Sequence, residues 1–241
     1  MLQRDTNPVL NTAQDAIMQR MTTQQTPVHG RKRLIDAALS LSYHKRSFSS
    51  LGIREISREA GLSAPAFYRH FEDLADLGTA VIQEVEDSVL AAFREVRKST
   101  EAEAELDIRP MLIRRFFEWA AENPMHIVVG ASEAFGSLEK MRAGLKSTIM
   151  NVAKDIVTDR RISALLPDLP EKHLNELMYT IAQNIFFMAV DYVEQPDDRP
   201  AVFDKALRTV DVIFLGAHAL TEITREVAQE SAQVADRAQN T

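Results

Sequence analysis

From Gly30 onward, apolar side chains recur at helical spacing along almost the whole chain, and this repeat limits the possible folds more than any other feature. Leu34, Ala37, Ala38 and Leu41 stand at i, i+3, i+4 and i+7, which lines them up on one side of a helix near 31–45. Ile53, Ile56 and Ala60 share a face over 52–60. A short helix is expected over Ala64–Phe71. Leu77, Val81, Val85, Val89 and Phe93 recur every four residues in a longer helix from Asp73 to Arg97. Further helices are expected near 107–122, 124–136, 138–161, 171–194 and 200–227, with Pro124, Pro167, Pro170, Pro196 and Pro200 at their boundaries. Residues 126–131 have the composition of a strand, but no nearby segment could pair with them. The chain has only 8 glycines and 9 prolines in 241 residues, too few turn formers for a β-sandwich or a glycine-fingerprinted nucleotide fold. The expected class is all-α.

Several chemistries are excluded at once. The chain has no cysteine, so disulfides, thiolate metal sites and a cysteine nucleophile cannot occur. Its six histidines form no HExxH or similar metal spacing, and there is no GxGxxG or phosphate-binding loop. Gly130–Ala131–Ser132–Glu133–Ala134 approaches a nucleophile elbow but lacks the final glycine and the flanking strand. Neither catalysis, a cofactor nor a metal site is expected. No apolar run nears the roughly 18 residues that span a bilayer, and the first residues lack the apolar segment of a signal peptide. A cytoplasmic protein is expected.

The charge is uneven. The whole chain carries −7, yet residues 30–71 hold eight Lys or Arg against three acids, a net +5, which leaves −12 on the remainder. Attraction to phosphate depends on the local field rather than the total, so a basic segment on an acidic body is compatible with nucleic acid. The organisation expected is a polar arm over 1–29, a helix-turn-helix domain over 30–78, a larger helical domain over 79–227 and a flexible tail over 228–241.

Within the basic segment, Gly52–Phe71 reads as a helix, a short turn and a second helix. Gly61 can end the first helix in a left-handed conformation, Ser63 can cap the second, and Pro65 fits its first turn. Ile53, Ile56, Leu62, Phe67 and Phe71 can form the small core that fixes the crossing of two short helices. Arg69 offers a planar fork to base edges, or equally to phosphate, and Tyr68 and His70 can donate to phosphate. Arg54 and Arg58 are either a solvated face or further phosphate contacts.

The helix over 31–45 followed by this turn and the run Ala66–Phe71 resembles the DNA-binding domain of TetR-type transcriptional repressors. Their short third helix carries an apolar–Tyr–X–His–Phe pattern, matched by Phe67, Tyr68, Arg69, His70 and Phe71. The resemblance implies an all-helical homodimer with an N-terminal three-helix helix-turn-helix domain, followed by a ligand-binding and dimerisation domain. It also implies phosphate contacts from Tyr68 and His70, packing by Phe67 and Phe71, and Ala64, Pro65 and Arg69 facing the groove. Arg54 and Ser63 complete the expected DNA-contact set. One departure is Leu74, which stands where many members carry a phosphate-contacting lysine. The run from Arg54 to Gly78 looks closer to the FabR/DesT branch, which implies sensing of long-chain acyl thioesters of coenzyme A and control of unsaturated fatty acid synthesis.

In the body, large apolar residues serve either as core or as the wall of an effector pocket. Phe116, Phe117, Trp119, Phe135, Met141, Phe186 and Phe187 are the pocket candidates, because aromatic and Met side chains adapt to a flexible apolar chain. Arg109, Arg114, Arg115, Lys140, Arg142 and Lys146 could meet a charged head group, or be ordinary surface charge. The helices over 171–194 and 200–227 carry apolar faces wider than one buried side needs. Leu177, Met178, Ile181, Ile185, Val210, Ile213, Phe214 and Ala217 are therefore expected at a homodimer interface, with central core helices as the alternative. Two-fold recognition of palindromic operator DNA also needs a dimer. The expected function is a ligand-responsive repressor with a hydrophobic effector, long-chain acyl-CoA by the branch resemblance. The alternative is an efflux or catabolic repressor answering a drug-like molecule.

Overall fold

One longer and two short helices make the basic head. α1 spans Pro27–Lys45, α2 Ile53–Glu59 and α3 Ala64–Phe67. The computed structural model describes residues 27–103 and 105–239, so residues 1–26 of the expected arm lie outside it. Leu34, Ile35, Leu39, Phe48, Ile56, Phe67 and Leu77 are buried together, which pins all three helices to the start of α4 (Leu74–Ser99). Asp73 caps α4 by accepting the Asp76 N–H at 2.7 Å, while the Asp76 carboxylate accepts the Glu72 N–H at 3.0 Å. The first bond satisfies one of the donors left unpaired at the helix start, and the second ties the residue before the cap to the first turn. α4 then runs about 39 Å at 1.5 Å per residue, out of the head and into the body. The expected domain boundary after Gly78 therefore falls within one continuous helix.

The body is built from α5 (Arg109–Glu122), α6 (Pro124–Glu133), α7 (Glu139–Ile156), α8 (Arg160–Ser163), α9 (Glu171–Glu194) and α10 (Arg199–Gln239). There are ten α-helices and no strand among the described residues. Residues 126–131 are helical, and Ile127, Val128 and Val129 are buried. Several expected boundaries change, three of them with a visible outcome. The helix expected over Ala64–Phe71 stops at Phe67, whose carbonyl accepts N–H groups from both His70 (2.9 Å) and Phe71 (3.1 Å) in a closing turn. The helix expected over 138–161 breaks after Ile156, because Asp159 caps a new turn by accepting the Arg161 N–H at 2.9 Å. The last helix does not stop near 227 but continues to Gln239.

The apolar faces of α9 and α10 are used differently from the sequence expectation. Met178, Ile181, Ile185, Val210, Phe214 and Ala217 are buried within their own chain, and Leu177 and Ile213 pack against the same core. The eight residues expected at a dimer interface thus turn inward. α10 carries a second apolar face on its opposite side: Val212, Leu215, Leu220, Ile223 and Val227, all exposed, Leu215 by 72%. A helix with two apolar sides gives a periodicity that does not say which one is turned inward. Among the described residues, no helix is long and apolar enough to cross a membrane.

Candidate nucleic-acid interface and effector cavity

The turn between α2 and α3 is set by Gly61. Its φ of 62° is in the left-handed region, which costs glycine little and other residues more. Its N–H donates to the Arg58 carbonyl at 3.0 Å, and the Leu62 N–H donates to the Ser57 carbonyl at 2.8 Å. These are the two bonds of a Schellman motif. Arg33 of α1 donates to the Gly61 carbonyl at 3.3 Å, tying the turn to the first helix.

The segment after the turn separates its inner and outer faces. Phe67 and Phe71 are buried, with ring centroids 5.7 Å apart. Tyr68 is 61% exposed, and its ring meets Phe67 edge-on. Ser63, Pro65 and Arg69 are exposed, as is Arg54 on α2, whereas Ala64 is half-buried. The Ser63 side chain makes no capping bond to its own helix. His70 is half-buried, and its ring lies so close over Gly30 that a Cβ there would fall 2.7 Å from Nε2. Leu74 packs partly buried against the core and so supplies an apolar contact in place of a cation.

Ion pairing narrows the set of head cations. Lys32 is shared by Asp36 (2.8 Å) and Glu84 (3.0 Å), Lys45 pairs with Glu55 at 2.8 Å, and Arg46 with Glu194 at 2.8 Å. Partial burial works against the charged Lys32 ammonium, but the hydrogen bonds to Asp36 and Glu84 outweigh it and raise its pKa. The Lys45 hydrogen bond holds the Glu55 carboxyl below its usual range. Arg31, Arg33, Arg54, Arg58 and Arg69 have no carboxylate at ion-pair distance among the described residues. Arg31 lies over the Phe71 ring at 5.1 Å.

Head and body meet at a buried carboxylate. Glu133, at the end of α6 and 2% exposed, accepts the Phe48 backbone N–H at 2.8 Å. Its second oxygen has no partner. Nearby, Met141 packs against Gly78, so this expected ligand residue belongs to the junction. Glu133→Ala should cost about 1–3 kcal/mol by stranding the Phe48 N–H, and Glu133→Gln less because an acceptor remains. Urea unfolding of the full chain, with amide exchange read at Phe48, checks both; equal stability of Ala and Gln variants would refute the assignment.

The body holds an apolar cavity of about 90 Å³, partly open to solvent, between α4, α5, α7, α9 and α10. Phe93, Leu112, Phe116, Met178, Ile185 and Phe214 are among its walls. Of the seven expected ligand residues, Phe116 alone is on that wall. Phe117 packs against Tyr192 and Phe203, Trp119 donates to the Ser88 hydroxyl at 2.7 Å, and Phe186 covers Gly130. Phe135, 84% exposed, stacks with Phe187 at 6.2 Å in an open groove between α7 and α9 that also contains Arg142 and Lys146. Helical periodicity marks a buried face, but a void arises where several faces fail to fill their shared space. Arg109 is the one expected cation that reaches the cavity. It is clamped by Asp107 (2.8 Å) and Asp211 (3.3 Å) and lies over the Phe214 ring. The Arg109 hydrogen bond keeps the Asp107 carboxyl below its usual range.

The candidate site thus consists of a three-helix head with an exposed Tyr–Arg pair and a long helix leading to an apolar cavity. Residues 34–81 match the family model for bacterial regulatory proteins, tetR family. That match covers the head alone, so it is the head that is similar to this family. A Shewanella sp. PV-4 protein, provisionally described as a tetR family transcription regulator, is 15% identical and shares the fold. The match has a TM-score of 0.51 and covers 75% of this chain and 95% of that one. A TetR family transcription regulator from Marinobacter aquaeolei VT8 is 19% identical over 73% of this chain and 93% of its own, with a TM-score of 0.49. NalD, the secondary repressor of the MexAB-OprM multidrug efflux pump in Pseudomonas aeruginosa, is 14% identical over 76% and 97%, with a TM-score of 0.44.

Proposed function

We propose that the protein is a dimeric repressor of palindromic operator DNA whose effector is a long-chain acyl-CoA, acting on genes of fatty acid synthesis or desaturation. The observation that carries the DNA-binding half is the division of Phe67–Phe71. Two phenylalanines fix the segment from inside, while Tyr68 and Arg69 stand in solvent and the head's Arg31, Arg33, Arg54 and Arg58 have no carboxylate at ion-pair distance among the described residues. Tyr68, His70 and Ser63 serve phosphate, Arg69 reads a base edge, Ala64 and Pro65 approach the groove, and Arg54 adds sequence-independent attraction. The outward face of α10 pairs two copies and sets the recognition segments in successive major grooves, about 34–36 Å apart.

The effector reading draws support from the almost wholly apolar cavity wall. In the conformation described, the void of about 90 Å³ falls below the roughly 300–1,000 Å³ of ligand pockets. An acyl chain must therefore widen it, and a ligand that prefers the widened state can shift the spacing of the two heads through α4. The small volume of this void favours a second reading, a smaller drug-like effector. DNA binding titrated with matched saturated and unsaturated acyl-CoA, free fatty acids and planar drugs decides between them. A response confined to the drugs removes the acyl-CoA reading.

Tyr68→Ala should weaken operator binding about tenfold, the loss of one good phosphate contact, with circular dichroism unchanged. Arg69→Ala should relax preference at particular base pairs, at about 1–3 kcal/mol of discrimination. Binding to a panel of operator variants measures this; a uniform loss across the panel would make Arg69 a phosphate contact.

A further inference from the structure

The end of α4 farthest from the head forms one side of a basic groove on an otherwise acidic body. Arg94, Arg97 and Lys98 come from α4, and Arg160 and Arg161 from α8, with Glu101 and Asp159 as the carboxylates in the lining. Two of the five cations are engaged internally. Arg97 donates to the Asp155 carboxylate at 2.6 Å and to its carbonyl at 3.2 Å. Arg161 donates to the Asp159 carboxylate at 2.8 Å, to the Thr100 carbonyl at 2.7 Å and to the Thr100 hydroxyl at 2.9 Å. These bonds fix α8 and the end of α7 against α4. Arg94, Lys98 and Arg160 stay exposed, with no carboxylate at ion-pair distance among the described residues.

These exposed cations repel one another weakly, and an anion in the groove would relieve that repulsion. Arg94 and Lys98 are four residues apart on one helix, where like charges repel, and the pinned α8 holds Arg160 in the same groove. Asp159 is occupied by Arg161, which leaves Glu101 as the only other acid lining the groove. Three available cations on a fixed scaffold suit a phosphate group, which accepts several charge-assisted hydrogen bonds at once.

The groove also adjoins the cavity. Phe93 lines the cavity while Arg94 lines the groove; Ile156 and Thr158 divide in the same way at the end of α7, as do Ile162 and Arg161 on α8. The single turn of α8 is part of the wall between them. We propose that Arg94, Lys98 and Arg160 bind the phosphorylated head group of an effector whose apolar tail occupies the adjacent cavity. This rests on the amphiphilic effector reading above and replaces Arg114, Arg115, Lys140, Arg142 and Lys146 as the expected partners of the head.

Calorimetry on the full chain tests it, with palmitoyl-CoA, coenzyme A and palmitate as probes against wild type, Arg94→Ala/Lys98→Ala and Arg160→Glu. Palmitoyl-CoA should bind each variant roughly tenfold or more weakly, with a flatter salt dependence, and palmitate should bind all three proteins alike. Equal palmitoyl-CoA affinity in wild type and variants would overturn the groove assignment while leaving acyl-CoA sensing intact. Binding of coenzyme A that the variants lose, with no gain from the acyl chain, would uphold the anion site and sink the effector reading. If the substitutions weaken only association with anionic vesicles or DNA, the groove is a docking surface for those polyanions and the proposal fails.

Discussion

Phe67→Ala should destabilise the head by about 3–5 kcal/mol, the usual cost of removing a fully buried phenylalanine ring. Phe67 is wholly buried among the head helices and meets both Phe71 and Tyr68. Without it, α3 has little else to hold it. Its four residues contain one buried side chain, and an isolated helix of that length has no stability of its own. The fingerprint should be uneven. Amides of α2, α3 and the 68–71 turn should lose protection from exchange first, operator binding should disappear, and the core around Phe117 should be unaffected. Uniform loss of protection along the chain would mean that head and body unfold as one unit.

Glutamate at both Leu215 and Ile223 should convert the proposed dimer into monomers without unfolding the chain. Both side chains point away from their own core, and Leu215 is among the most exposed large apolar residues described, so the monomer loses little. The dimer would have to bury two carboxylates per chain, at several kcal/mol each. Sedimentation equilibrium reads the mass directly. Affinity for a full palindrome should fall by about 10²–10⁴, the usual gain from linking two sites, while affinity for a half-site stays constant. An unchanged mass would move the dimer contact away from α10.

Several of these features could be read from the residues alone. The apolar repeat is strong enough to specify helices, since each stripe must be buried somewhere. Gly61 and the Phe67–Phe71 spacing locate the turn because only a few residue types suit those backbone and packing demands. The basic character of residues 30–71 was legible as well, but not which cations were available. Lys32 is shared between Asp36 one turn on and Glu84, and Arg46 pairs with Glu194; Glu84 and Glu194 are remote in sequence.

The cavity, the Glu133 contact with Phe48, the basic groove and the outward face of α10 depend on which helix sides meet. Arg94 and Arg160 are 66 positions apart, and nothing local in the chain brings them together. Local sequence fixed the helices and the head's turn through short-range sterics and periodicity. Long-range packing alone decided where a void opened, which charges found partners and which apolar side stayed outside, because each of those depends on several faces at once.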